Sequence, residues 1–108
     1  MITKYTSPPM SVEVEGVDIT SATVYLTLKQ NSTKITLSGT RLTMTYANSN
    51  TTITFALTQA ESGQFDLISS DINAWAEVQV NYIIGGVRYA TEIVKTKIMD
   101  NLYNEVIS

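Results

Sequence analysis

Cysteine and histidine are both missing from the 108 residues. Without cysteine there is no disulfide framework, no thiolate metal site and no thiol nucleophile. Without histidine the commonest general base and the usual ligand for zinc, copper and iron are gone, along with every triad built on imidazole. Charge is also sparse, at 16% of residues with a net of -3, and the seven cations Lys4, Lys29, Lys34, Arg41, Arg88, Lys95 and Lys97 are spread along the chain. Nucleic-acid binding draws on clustered cations that release counterions, so DNA and RNA are not expected partners. No apolar run approaches the length of a membrane span, and Met1 to Pro9 has one lysine with no apolar stretch behind it, which is not a signal peptide. The expectation is a chain made and kept in a bacterial-type cytoplasm, with no membrane partner and no cofactor, and its length fits one domain over residues 1–108.

What the chain does contain is 44% hydrophobic residues in a background of Thr, Ser and Asn. Threonine-rich alternation suits strands whose outer faces are wet or pressed against a partner. Met10 to Glu15 alternates, placing Met10, Val12 and Val14 on one face, and it is entered through Pro8 and Pro9. After a turn at Gly16-Val-Asp18, Ala22 to Gln30 alternates again with Val24, Leu26 and Leu28 inward. Asn31-Ser-Thr33 breaks the pattern, and short strands follow at Lys34 to Leu37 and Arg41 to Tyr46, the second with Leu42, Met44 and Tyr46 inward. Ala47-Asn-Ser-Asn50 accepts left-handed backbone and leads into Thr51 to Leu57, with Ile53, Phe55 and Leu57 inward. Thr58-Gln-Ala-Glu61 then fits a capping box, predicting one helical turn over 58–63 that ends at Gly63, with Phe65 and Leu67 plugging the core. Ile68 to Asn73 reads as a polar connection.

The last hairpin is the most informative stretch. A two-residue turn at Gly85-Gly86 opposes Tyr82 to Tyr89, Val80 to Thr91 and Val78 to Ile93 on a largely apolar face. Asn81 with Ala90, Gln79 with Glu92 and Ile83 with Arg88 make the other face largely polar. The sorting fails beyond Ile93, where Val94 and Ile98 fall on the supposed outer face; a bulge, a strand that switches sheets or an apolar contact with another subunit would each explain it. From Asp100 a short C-terminal helix is expected, with Ile98, Leu102 and Val106 four apart, folding back over the open end of the sandwich or ordering on assembly. Seven or so short strands with turns between them point to an all-β, antiparallel Greek-key sandwich or a closely related barrel.

Residues that carry chemistry are few. Glu13, Glu15 and Asp18 offer oxygens to calcium, but no Asx-rich loop supplies the rest of its ligands, and a solvated strand face is the better reading. Glu77 and Glu92 share a face of the final hairpin, the arrangement a carboxylate pair needs for hydrolysis, yet Arg88 and Lys95 nearby make it an ordinary polar face. Asn31-Ser-Thr33 and Asn50-Thr-Thr52 match a glycosylation pattern that means nothing without a signal peptide. Trp75 with Tyr25 could build a sugar-stacking platform, the mark of a module that recognises host cell-wall polysaccharide. Ile83, Ile84, Val94, Ile98, Leu102 and Val106 are the candidate interface residues, for contact with a partner or in a homo-oligomer. Nothing in this set favours an enzyme.

Ser7-Pro-Pro-Met-Ser-Val-Glu-Val-Glu-Gly16, Val24-Tyr-Leu-Thr-Leu-Lys-Gln30, Met44-Thr-Tyr46, Thr52-Ile-Thr-Phe-Ala-Leu-Thr-Gln-Ala-Glu61 and Ala90-Thr-Glu-Ile93 together resemble small proteins encoded in phages and prophages of Gram-positive bacteria. The resemblance implies an immunoglobulin-like sandwich similar to the one that begins some baseplate and receptor-binding proteins. It further implies a non-enzymatic virion or assembly component, associated with tail, baseplate or neck, whose partners are other virion structural proteins. It transfers no functional residue.

Overall fold

The computed structural model describes residues 2–65 and 75–99. Within them the period-two alternation resolves into nine strands: β1 (Ile2–Thr3), β2 (Met10–Glu15), β3 (Thr23–Gln30), β4 (Thr33–Ser38), β5 (Thr43–Ala47), β6 (Asn50–Phe55), β7 (Trp75–Ile84), β8 (Val87–Ala90) and β9 (Val94–Met99). A larger sheet runs β1-β9-β7-β3-β4, with β8 also on β7, and a smaller one runs β2-β6-β5. With β2, β6 and β5 in places B, E and D, and β4, β3, β7 and the β8–β9 stretch in places C′, C, F and G, the strand order is that of an immunoglobulin-like sandwich. The all-β reading therefore stands, with one exception to its antiparallel pairing. Ile2 and Thr3 lie parallel to Ile98 and Met99, a two-residue strand too short to read from alternation.

Local chemistry accounts for the connections. Asn48 and Ser49 both take positive φ, 54° and 65°, between the paired Ala47 and Asn50, which is the two-residue turn whose twist matches its strands. Gly85 and Gly86 do the same between Ile84 and Val87, where φ of 58° and 78° is cheapest for residues without a Cβ. Helix α1 (Gln59–Gly63) carries the expected capping box: the Thr58 hydroxyl accepts from the Glu61 amide while the Glu61 carboxylate accepts from the Thr58 amide. A 3-10 turn, Gly39–Arg41, takes the chain from the larger sheet to the smaller.

Between the sheets lie Val24, Leu26 and Leu28 of β3, Ile35 and Leu37 of β4, Ile53 and Phe55 of β6, and Ala76, Val78 and Val80 of β7. Phe65 is fully buried, as expected, and so is Ile19, an isolated isoleucine in a polar loop that alternation does not flag. Thr51 holds that loop: its hydroxyl donates to the Val17 carbonyl (2.7 Å) and accepts from the Ile19 amide (3.1 Å). Tyr46, expected inward, is exposed near the outer end of β5. The expected C-terminal helix, Leu67 and the connection from Ile68 to Asn73 lie outside the described residues.

Candidate interaction surface

The last three strands carry a register shift. Along β8 the pairing is as the sequence suggests, with Tyr82 opposite Tyr89 and Ile83 opposite Arg88. Along β9 it has slipped by one residue, so that Val78 faces Val94 rather than Ile93, and Glu77 faces Lys95. Thr91, Glu92 and Ile93 make the bulge between them, which is the first of the three explanations for the failed sorting. The bulge loses no hydrogen bonds at its pivot. The Thr91 amide donates to the Val80 carbonyl (2.9 Å), the Val80 amide turns to the Thr91 hydroxyl (3.1 Å), and the Gln79 side-chain amide donates to the Thr91 carbonyl (2.9 Å).

One extra residue reverses the side on which each β9 side chain falls. Ile98 is therefore 1% exposed and part of the core beside Ile2, not an outward interface residue. Val94 also turns to the inner side, yet it is 54% exposed, because the sandwich is open there. A cleft of 480 Å³ separates the β2 edge from the β7–β9 strands, lined by Val12, Val14, Val78, Val80, Tyr82 and Val94, with Glu13, Glu15 and Glu92 on it as well. Further along, the β7–β8 hairpin runs on with its inner face uncovered by any other described element: Tyr82 stacks on Tyr89 at 5.3 Å between ring centroids, and Ile84 and Val87 are exposed. Ile84 thus shares the inward side with Tyr82, while Ile83 lies on the outer face with Arg88, whose guanidinium donates twice to the Asn81 side-chain oxygen (3.2 Å each). Among the described residues, seven of the nine exposed large hydrophobics, Trp75, Ile83, Ile84, Val87, Tyr89, Ile93 and Val94, belong to the stretch from β7 to β9. Leu102 and Val106, the other expected interface residues, lie outside the described residues.

The outer face of the larger sheet gathers charge that the sequence scatters. Lys34 opposes Lys29, Lys29 opposes Glu77, and Glu77 opposes Lys95, forming one row across four strands. Lys97 opposes Trp75 in the next row, and Arg88 lies beyond Asn81. Five of the seven cations therefore share this face, with Glu77 as its carboxylate among the described residues. Thr27, Gln79 and Asn81 line a shallow trough between them.

The remaining candidates are not brought together. Trp75 and Tyr25 are on this same face, but Tyr25 opposes Asn81, six residues along β7 from Trp75, which is about 20 Å and too far for one stacking platform. Glu77 faces outward, whereas Glu92 lines the inner cleft, so the bulge splits the supposed carboxylate pair. Asp18 is engaged locally, accepting from the Thr20 amide (3.0 Å) and hydroxyl (2.7 Å), and these bonds hold its carboxyl below the usual range. No group of three metal-ligating side chains occurs among the described residues. None of the described helices is long and apolar enough to cross a membrane. No protein family, curated protein or solved structure matches the chain.

Proposed function

We propose that the chain is a non-catalytic structural or assembly module of a phage or prophage particle, acting through protein–protein contacts made by the β7–β9 stretch. The observation that carries this reading is the concentration of exposed apolar and aromatic side chains there: Ile84, Val87, Tyr89 and Val94 all lie on the inward side of a sheet, exposed, with no described residue closing over them. Scattered surface apolar residues need no explanation, but a contiguous set flanked by an unpaired strand edge marks a contact surface. The hydroxyl-rich outer face of the smaller sheet suits the same role, since hydroxyls cost less to desolvate than ammonium groups. The resemblance to small phage and prophage proteins adds the particle as the setting.

The test is particle composition. Particles released from a bacterium carrying the gene are banded on a density gradient and analysed by mass spectrometry, with the Ile84→Ser/Val87→Ser variant beside the parent. The expected result is the parent chain in the banded particles at fixed stoichiometry and its loss in the variant. If the parent is absent and deletion of the gene leaves particle yield unchanged, the reading is wrong.

A further inference from the structure

We infer that the outer face of the larger sheet docks on the outer face of the smaller sheet of a second copy, so that copies stack in one direction. Two observations carry this. Lys29 and Lys34 are directly opposed on neighbouring strands, with Lys95 in the same row. Like charges held opposite one another destabilise the isolated sheet, and Glu77, between Lys29 and Lys95, is one carboxylate for three lysines in the row; a local rule broken with only part of its cost offset points to a partner that supplies further carboxylates. The second observation is where such carboxylates lie. The outer face of β2-β6-β5 presents Glu13 and Glu15 beside threonines, with Glu13 in one row with Thr52 and Thr45, and its three strands contain no lysine or arginine.

Charge therefore selects the geometry. Two copies meeting through their larger sheets would oppose five cations and one glutamate to the same set, like excess against like excess, and two meeting through their smaller sheets would oppose glutamate to glutamate. Only the larger sheet on the smaller one pairs opposite signs. Such a contact uses two different patches, so it repeats from copy to copy and closes into a ring or runs on as a filament. Exposed Ile83, Ile93 and Trp75 share the basic face and give the contact its apolar area, while the charges set orientation. This stacking rests on the assembly reading above and specifies one of its contacts.

Sedimentation velocity on the purified chain tests it, at about 20 mM and about 500 mM NaCl, conditions under which charge pairs at the surface are weakly and strongly screened. The parent should associate at low salt and return toward its 11.9 kDa mass at high salt. Lys29→Glu/Lys95→Glu and Glu13→Lys/Glu15→Lys should each associate at least about tenfold more weakly, the equivalent of one or two lost charge pairs. An equimolar mixture of the two variants should associate again, because each then offers the other an opposite face. Four outcomes overturn the stacking. In the first, the oligomer is indifferent to salt and to both variants, which leaves the assembly reading intact through another surface. In the second, the mixture fails to recover association while both variants keep the parent's circular dichroism. In the third, the parent stays monomeric at low salt. In the fourth, the parent is a monomer whose Trp75 emission shifts on adding polyphosphate, which gives the basic face to a polyanion.

Discussion

Thr51 shows how much one hydroxyl can hold. It is fully buried, and its two bonds tie β6 to the part of the loop that carries Ile19 into the core. Thr51→Val keeps the shape and removes both bonds, leaving the Ile19 amide and the Val17 carbonyl without that partner, at a cost of about 1–3 kcal/mol in urea denaturation, whereas Thr51→Ser should keep most of the stability. Glu61 behaves differently because water reaches it. Arg41 donates to its carboxylate at 2.6 Å, and that hydrogen bond, with help from the Thr58 amide, holds the Glu61 carboxyl below its ordinary value of 4.5. A carboxyl whose pKa is lower folded than unfolded stabilises the fold above its unfolded pKa, and the contribution is lost as pH falls through the folded one. Arg41→Gln should therefore cost up to about 1 kcal/mol at pH 7 for a pair this exposed. The gap between parent and variant should close below the ordinary glutamate range, which denaturation curves at a series of pH values will show.

At the scale of the element, alternation told which side of most strands faces the core, because parity is local and survives any arrangement of neighbours. Val24, Leu26 and Leu28 are buried for that reason, and the capping box at Thr58 and Glu61 needs only four consecutive residues. The bulge was foreshadowed by the failed sorting at Val94 and Ile98, but nothing in the pattern chose it over a switched strand, because the choice depends on the Thr91 hydroxyl standing in for a ladder carbonyl. The cation row was not legible at all: Lys34, Lys29 and Lys95 become neighbours only once register is known. Thr91→Val should uncouple the buried Val80 amide and lower stability by about 1–3 kcal/mol, with Thr91→Ser close to the parent. A gain is expected at the other two-residue turn. Ser49 sits at a φ of 65° that costs a side-chain-bearing residue about 1–2 kcal/mol, so Ser49→Gly should raise the melting temperature, the net gain being reduced by the greater chain entropy of glycine.

Across the whole molecule, closure is unequal. Near the β1 end of β9 the sheets are sealed by Ile2 and Ile98, and the centre is packed around Leu26 and Leu28. Toward the β7–β8 hairpin the same inner side is open, and the molecule extends 44 Å along its longest axis against 24 Å along its shortest. Opening free energy should follow this gradient, since an element with few buried apolar contacts can fray without unfolding the rest. Amide exchange followed by NMR should find the Leu26 and Leu28 amides exchanging only through global unfolding, and the β8 amides many-fold faster through local opening. Tyr89, 46% exposed on the open side, makes the gradient adjustable: Tyr89→Ala removes the ring that stacks on Tyr82 and should speed β8 exchange further while leaving β3 unchanged. If the hairpin is the contact surface proposed, adding the partner components of the particle must slow β8 exchange toward that of the core, because covering the inner side gives the strand the packing that the isolated chain does not provide. Exchange in β8 that already matches β3 in the free chain would mean that the open side is stable by itself and gains nothing from being covered.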